Sequence, residues 1–291
     1  MRPLGQLIQI GNHQLHLSGR GNGQPTVILD AGLGDWSLSL FDLQQRVAAF
    51  THAVIYDRAG YGWSDPGPYP RTSQQLADEL YALARAATLP VPYVLVGHSL
   101  AGWHLRLFVR QHRELVAGLV LIDATPPDFH PRLGQVDPGF TQGAEAALQE
   151  HQTMAQRARA GQLRAADVEP FGVPPFLTDE QRETFFQLTV QPTYWETLLA
   201  EWLAEEESRT QVQAVTTLGN LPLIVLAAIP GEGYSDHFRH LWMAEQRQQA
   251  TLSTHSELQL VESGHHIHWE QPALVAATIQ QMVEKVRLAQ V

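Results

Sequence analysis

The chain has 291 residues, no cysteine and a formal net charge of −11 at pH 7. This length fits one large domain or a core domain with an insertion. The lack of cysteine excludes disulfides, thiolate metal sites and a cysteine nucleophile. The negative charge argues against nucleic acid as a partner, since phosphate binding depends on Lys and Arg. The longest apolar runs are about half as long as a membrane helix, and Gly and polar residues interrupt the N-terminus before a signal peptide can form. We therefore expect a cytoplasmic protein without a membrane span.

The first 123 residues alternate between strand and helix patterns. Short apolar runs rich in branched residues predict buried strands, and longer runs with apolar residues three or four apart predict helices. Thr72 and Gln75 form a capping box, which marks the start of one helix. In chain order the pattern predicts a hairpin from 6–10 and 13–17, strand 26–32, helix 40–50, strand 52–57, helix 72–88, strand 92–97, helix 100–112 and strand 117–123.

The alternation stops between residues 124 and 221 and resumes afterwards. A gap of this length is too long for a plain loop, and it contains helical patterns at 143–160, after Thr178 and at 193–204. The last part predicts strands 222–229 and 257–262, helix 237–252 and a C-terminal helix that begins near Pro272. Apolar strands that alternate with amphipathic helices predict an α/β protein with a mostly parallel sheet flanked by helices. We expect a core of residues 1–123 and 222–291, with an inserted helical cap of residues 124–221.

The stretch GHSLAG, residues 97–102, lies between a predicted buried strand and a predicted helix. The pattern G-x-S-x-G in that position places a serine on a sharp, strained strand-to-helix turn, which requires small residues two positions before and after it. Gly97 meets this requirement, and Ala101 meets it with one additional methyl group. We therefore predict that Ser99 is a nucleophile.

With this strand context, the chain resembles the α/β-hydrolase fold superfamily over nearly its whole length. It is especially similar to the capped, serine esterase-type branch, in which the stretch YDRAGYGWSDPGP (56–68) recurs. The resemblance implies an oxyanion hole formed by two backbone N–H groups. One belongs to Leu33 in the sequence DAGLG, which follows the 26–32 strand, and the other belongs to Leu100, directly after the serine.

The general base is expected in SGHHIHWEQP, residues 263–272. This stretch resembles the family pattern G-H-x-x-x-x-E-x-P and places the base at His265. A histidine can accept the serine proton and return it near neutral pH. The three histidines of this stretch have no carboxylate or cysteine ligand beside them in the sequence, so we expect no metal site.

Two residues are candidates for the acid that orients His265. Many relatives carry the acid a few residues after the strand that matches 222–229, where this chain has IPGEGYSD, with Asp236 displaced from the usual position. Other members, including some haloalkane dehalogenases, carry it at the end of the preceding core strand, which corresponds to Asp123. The order Ser, acid, His holds for both. We favour Asp123 and keep Asp236 as the alternative.

The sequence therefore predicts a serine hydrolase, carboxylesterase-like, that cleaves a small to medium hydrophobic ester through an acyl-enzyme. A serine nucleophile argues against dehalogenase and epoxide hydrolase chemistry, which use a carboxylate in this family. Alternatives are amide, lactone or carbon–carbon bond hydrolysis, acyl transfer, or a binding protein without catalysis. Trp36, His98 and Trp103 are expected near the substrate pocket. The resemblance implies no cofactor and a small-molecule partner.

Overall fold

The computed structural model describes residues 3–289, and one eight-stranded sheet forms its centre. The strand order is β1-β2-β4-β3-β5-β6-β7-β8. β2 runs antiparallel to both neighbours, whereas β4 and all later neighbours are parallel to one another. This confirms the predicted fold class. The strands are β1 Gln6–Ile10, β2 His13–Arg20, β3 Thr26–Asp30, β4 Ala53–Tyr56, β5 Tyr93–His98, β6 Val116–Ile122, β7 Leu223–Ala228 and β8 Ser256–Val261.

Helices cover both faces of the sheet. Every residue of β3 to β5 is buried, as expected for parallel strands that pack helices on each side. Side chains of α2 and α3 pack in the apolar cluster on one face, and those of α1 and α12 pack in the cluster on the other. The α-helices are α1 Phe41–Val47, α2 Ser73–Ala86, α3 Ala101–Gln111, α4 Phe129–Val136, α5 Pro138–Arg159, α6 Ala165–Val168, α7 Asp179–Thr189, α8 Pro192–Leu203, α9 Glu205–Gln213, α10 Asp236–Ala250, α11 Ile267–Glu270 and α12 Pro272–Ala289.

Helices α4 to α9 lie between β6 and β7 in the sequence and form what we call the helical insert, residues 129–213. The insert packs on the core through a third apolar cluster, where Trp36 and Tyr61 of the core meet Phe185, Trp195 and Leu198 of the insert. The ring of Trp36 stacks on that of Phe185 with centroids 5.6 Å apart. The insert is therefore fixed to the core by aromatic packing around the β3 and β4 loops.

Within residues 3–289, no helix combines the length and apolar character that crossing a bilayer requires.

Candidate active site

Ser99 lies on a tight turn between β5 and α3. Its φ is 53°, in the left-handed region that non-glycine residues rarely adopt. The turn is fixed because the Ser99 N–H donates to the carbonyl of Ile122 on β6, at 3.1 Å. A Cβ at Gly97 would lie 2.6 Å from Leu105 Cδ1 and 3.2 Å from the carbonyl carbon and Cβ of Ala101, so these neighbours would have to shift, whereas Ala101 is accommodated and fully buried. The sequence thus adopts the strained turn that exposes a serine side chain at the end of a strand.

Asp123 lies at the equivalent position after β6 and also has a positive φ, of 44°. Its side chain is held by two hydrogen bonds. His265 donates from Nδ1 to Asp123 Oδ2 at 2.7 Å, and the Ala228 N–H donates to Oδ1 at 2.8 Å. Asp123 is 2% exposed, so the carboxylate is shielded from water. Because Nδ1 of His265 is the donor, Nε2 of the neutral ring is left as an acceptor.

The loop that carries His265 is held by a carboxylate further along the chain. Glu270 accepts hydrogen bonds at Oε2 from the Gly264 N–H, at 2.9 Å, and from the Ser263 hydroxyl, at 3.0 Å. Gln271 binds the carbonyl of Glu262 through its side-chain amide at 2.6 Å. These bonds close the turn between β8 and α11 and fix the residue that precedes His265.

Leu33 and Leu100 both line the same cavity. Leu100 is the N-cap residue of α3, where the backbone N–H groups of a helix have no intrahelical partner. Among the described residues 3–289, neither the Leu33 N–H nor the Leu100 N–H donates to a backbone carbonyl. Both groups are therefore available to an oxygen atom of a bound molecule.

The cavity has a volume of about 840 Å³ and lies between the ends of the central strands and the helical insert. Ser99, Asp123 and His265 contribute to its wall. Aromatic residues from the start of the insert and from α10 form much of the remainder. These are Phe129, Phe140, Phe238 and Trp242. The site can therefore hold an apolar group beside a serine and a histidine.

The other candidates from the sequence lie in different environments. Trp103 lines the cavity, and its indole N–H donates to the carbonyl of Thr125 at 2.6 Å. Trp36 is not among the residues that line the cavity, and it is buried against Trp63 and the insert. His98 is buried behind the serine rather than in the cavity wall, since side chains of successive strand residues point to opposite faces.

Asp236 is not placed to orient His265. It is the first residue of α10, its side chain is 77% exposed, and it forms an ion pair with Arg239 in the same helix. The N-cap of this helix is Ser235, which accepts from the Phe238 N–H at 3.1 Å. Of the two candidate acids, the structure brings only Asp123 to His265.

Sequence reasoning did not identify two features of the site. Thr125 lies 3.4 Å from the Ser99 hydroxyl, oxygen to oxygen, and lines the cavity two residues after Asp123. Because Thr125 closely follows the predicted acid Asp123, the sequence could have indicated that it lies near the site.

The second missed feature is a buried ion pair that joins the core to the insert. Arg58, after β4, donates from Nε and Nη2 to the carboxylate of Glu201 on α8, at 3.0 and 3.1 Å. Tyr61 also donates to this carboxylate, at 3.2 Å. The partners are 143 residues apart in the sequence, so no local pattern indicates the contact.

The strand order, the inserted helices and the turn that carries Ser99 define a hydrolase-type α/β protein. Comparison with known proteins agrees with that class. A family model described as the alpha/beta hydrolase family matches residues 27–278. Because this match covers most of the chain, the protein belongs to the alpha/beta hydrolase family, which confirms the resemblance inferred from the sequence.

Solved structures with this fold include enzymes of different chemistry. A thermophilic esterase from Thermogutta terrifontis is 22% identical, with a TM-score of 0.68 over 97% of this chain and 98% of that one. A haloalkane dehalogenase loop variant from Bradyrhizobium elkanii is 17% identical, with a TM-score of 0.74 over 98% and 97%. At these identities the likeness extends to the fold alone.

Among curated proteins, a protein named as a probable transporter, efuK of Hormonema carpetanum, is 32% identical over 142 residues. The matched segment is 46% of this chain but only 20% of that protein. The similarity is therefore confined to a small part of the longer relative.

Proposed function

We propose that this protein is a serine hydrolase that cleaves a carboxylic ester of a small to medium hydrophobic substrate. The observation that carries the proposal is the 2.7 Å hydrogen bond from His265 Nδ1 to the buried Asp123 carboxylate, at a cavity that also contains Ser99. A carboxylate in this position holds the histidine in the tautomer that accepts a proton at Nε2 and stabilises the imidazolium that results.

In the proposed reaction the Ser99 oxygen attacks the ester carbonyl while His265 Nε2 takes its proton. The Leu33 and Leu100 N–H groups donate to the oxyanion of the tetrahedral intermediate. Such donors contribute on the order of 3 kcal/mol each to lowering the barrier. His265 then gives the proton to the departing alcohol, and an acyl group remains on Ser99. Water, deprotonated by His265, attacks this acyl-enzyme and releases the acid.

Two features support an ester with an apolar group as the substrate. The residue on the turn after β5 is Ser99, whereas dehalogenase and epoxide hydrolase chemistry on this fold requires a carboxylate nucleophile. The ring of Phe129 packs edge to face against those of Phe238 and Trp242, with centroids 4.9 and 4.8 Å away, and the three rings provide an apolar wall in the cavity that contains the serine.

The test is hydrolysis of p-nitrophenyl esters of increasing acyl length by the wild type and by Ser99→Ala, together with labelling by a fluorophosphonate. We expect turnover and one label on Ser99 in the wild type, and neither in the variant, with both proteins folded by circular dichroism. Turnover that survives in Ser99→Ala, or a label on another serine, would contradict the mechanism. A wild type that neither hydrolyses esters nor takes the label would favour a binding protein on the same fold.

A further inference from the structure

Three loops that carry the proposed catalytic groups meet at a second cluster of side chains. Asp35 follows Leu33 by two residues, His98 directly precedes Ser99, and His266 directly follows His265. The ligating atoms of these three side chains, one per residue, all lie within 4.8 Å of one another. Asp35 Oδ2 is 3.4 Å from His266 Nε2 and 3.9 Å from His98 Nδ1. Side chains from three distant parts of the chain therefore converge on one point.

The ring of His98 lacks a partner on the side that faces this point. His98 donates from Nε2 to the backbone carbonyl of His265 at 3.0 Å, so in the neutral ring Nδ1 carries a lone pair. Nδ1 is buried and has no hydrogen-bond partner within residues 3–289. A buried acceptor nitrogen thus faces a carboxylate oxygen, with no donor between them.

The charge and the fixed side chains of this cluster suit a cation. Asp35 carries a negative charge, and its other oxygen accepts from the Ser39 hydroxyl at 2.9 Å, which fixes the carboxylate. The bond from His98 to the His265 carbonyl has the form of the outer-shell contact that orients histidine ligands in metal sites. His266 stacks on Trp269 with centroids 3.9 Å apart, so its ring orientation is also restricted.

We propose that Asp35, His98 and His266 bind one divalent transition-metal ion, Zn²⁺ in the first instance, with a water molecule as the fourth ligand. Tetrahedral Zn²⁺ with N and O ligands at about 2.0–2.1 Å places neighbouring ligand atoms about 3.3 Å apart. The Asp35–His266 pair is already at 3.4 Å, and the Asp35–His98 pair must close by roughly half an ångström. All three ligand atoms lie within 4.8 Å of one another, so the His98–His266 pair must close by up to about 1.5 Å. The side chain of His266 is 35% exposed and provides the path by which the ion enters.

The donor set selects the class of ion. Two imidazole nitrogens and one carboxylate oxygen suit Zn²⁺ and its first-row neighbours, whereas Mg²⁺ prefers oxygen ligands and retains its water. The bound ion joins the loop of Leu33, the turn of Ser99 and the loop of His265, so it stabilises the folded state by mass action. This inference concerns ion binding and does not depend on ester hydrolysis.

The test uses the untagged full chain, freed of metal with a chelator that is then removed. Calorimetric titration with ZnCl₂ and thermal unfolding with and without Zn²⁺ are carried out on the wild type and on Asp35→Asn and His266→Gln. His240→Gln is the matched control, because His240 is exposed on α10 and tests adventitious binding to surface histidines. MgCl₂ is the ion control. Neither measurement uses substrate. A failure of the metal-binding proposal is therefore distinguishable from a failure of the proposed hydrolase activity.

We expect one Zn²⁺ per chain in the wild type and in His240→Gln, with a rise in melting temperature and no response to Mg²⁺. Both ligand variants should bind at least tenfold more weakly and lose the rise in melting temperature. Co²⁺ in place of Zn²⁺ should show the visible absorption of a tetrahedral complex, which the variants lack. If water molecules fill the cluster, the wild type binds no Zn²⁺, and that result would overturn the proposal. So would an affinity unchanged in the two ligand variants or lost in His240→Gln.

Discussion

The substitution Glu201→Gln tests whether the helical insert controls the loop that carries the Leu33 N–H. Arg58 donates to the carbonyls of Ala31 and Gly32, at 2.5 and 2.7 Å, and so sets the orientation of the peptides just before Leu33. Arg58 in turn is held by two hydrogen bonds to the carboxylate of Glu201 on α8. We therefore expect that Glu201 is a positioning residue for the proposed oxyanion hole, although it belongs to the insert.

The loss of stability in Glu201→Gln depends on the partners that Arg58 keeps after the substitution. Both partners are buried, at 3% and 0% side-chain exposure. Removing one partner of such a pair costs about 3–5 kcal/mol, because the other charge is left buried without compensation. Asp30 Oδ1 remains 3.3 Å from Arg58 Nη1, so the free energy of unfolding should fall by the lower end of that range, about 3 kcal/mol. At about 2 °C per kcal/mol for a chain of this size, the melting temperature should fall by roughly 6 °C.

The effect on catalysis should be smaller than deletion of an oxyanion donor. Loss of one donor lowers kcat by about 10²–10³-fold, whereas a loosened loop retains the donor, so we expect a loss on the order of tenfold. The assay is kcat for a p-nitrophenyl ester at a temperature where the variant is folded, with thermal unfolding measured in parallel. Glu206→Gln, which removes an exposed charge from α9, is the control. Equal results for the two variants would refute the reasoning, and a stability loss with unchanged kcat would reduce the ion pair to a structural role.

Two further substitutions examine the parts of the site nearest the reaction. Asp123→Asn should lower kcat on the order of 10⁴-fold with the fold intact, because an amide does not hold the required tautomer of His265; Asp236→Asn should stay within about twofold. Steady-state kinetics of the two variants decide between them, and a greater loss for Asp236→Asn would reverse the assignment. Gly32→Ala places a Cβ 2.9 Å from His98 Nδ1 and 3.1 Å from Ser99 Cβ, so the loop or these two residues must shift. We expect kcat to fall at least tenfold and stability to fall by about 1–3 kcal/mol; unchanged kinetics would show that the loop position is not critical.

The elements around the serine could be predicted closely because their signals are local. The predicted strand 92–97 and helix 100–112 compare with Tyr93–His98 and Ala101–Gln111 in the structure. Apolar periodicity and small residues at a sharp turn are properties of a few neighbouring residues, and they need no knowledge of the rest of the chain. Parallel strands joined by helices allow few arrangements, which limits the possible strand orders without selecting one.

Contacts between distant segments could not be predicted in the same way. Asp123 and Asp236 both follow a strand in the required order, and only the adjacency of β6 to β5 brings Asp123 near the turn of Ser99. Arg58 follows a predicted strand, where it is expected to organise the loop, but nothing in the sequence indicates that its partner is Glu201. Asp35 lies 231 residues before His266, so no local pattern indicates that these two side chains meet. In each case the missing information is which loops meet at the same edge of the sheet.

The histidines of the loop after β8 have different chemistry because each faces a different part of that edge. His265 donates to Asp123, whereas His266 lies 3.4 Å from Asp35, so each ring has its own carboxylate. His268 has neither: it is buried, both ring nitrogens lack a partner within residues 3–289, and burial lowers its pKa to about 3. The His268 side chain is therefore uncharged and contributes to packing. The proposed ion, held by Asp35, His98 and His266, therefore uses no side-chain atom of the His265–Asp123 pair, and metal binding and proton transfer can coexist on adjacent residues.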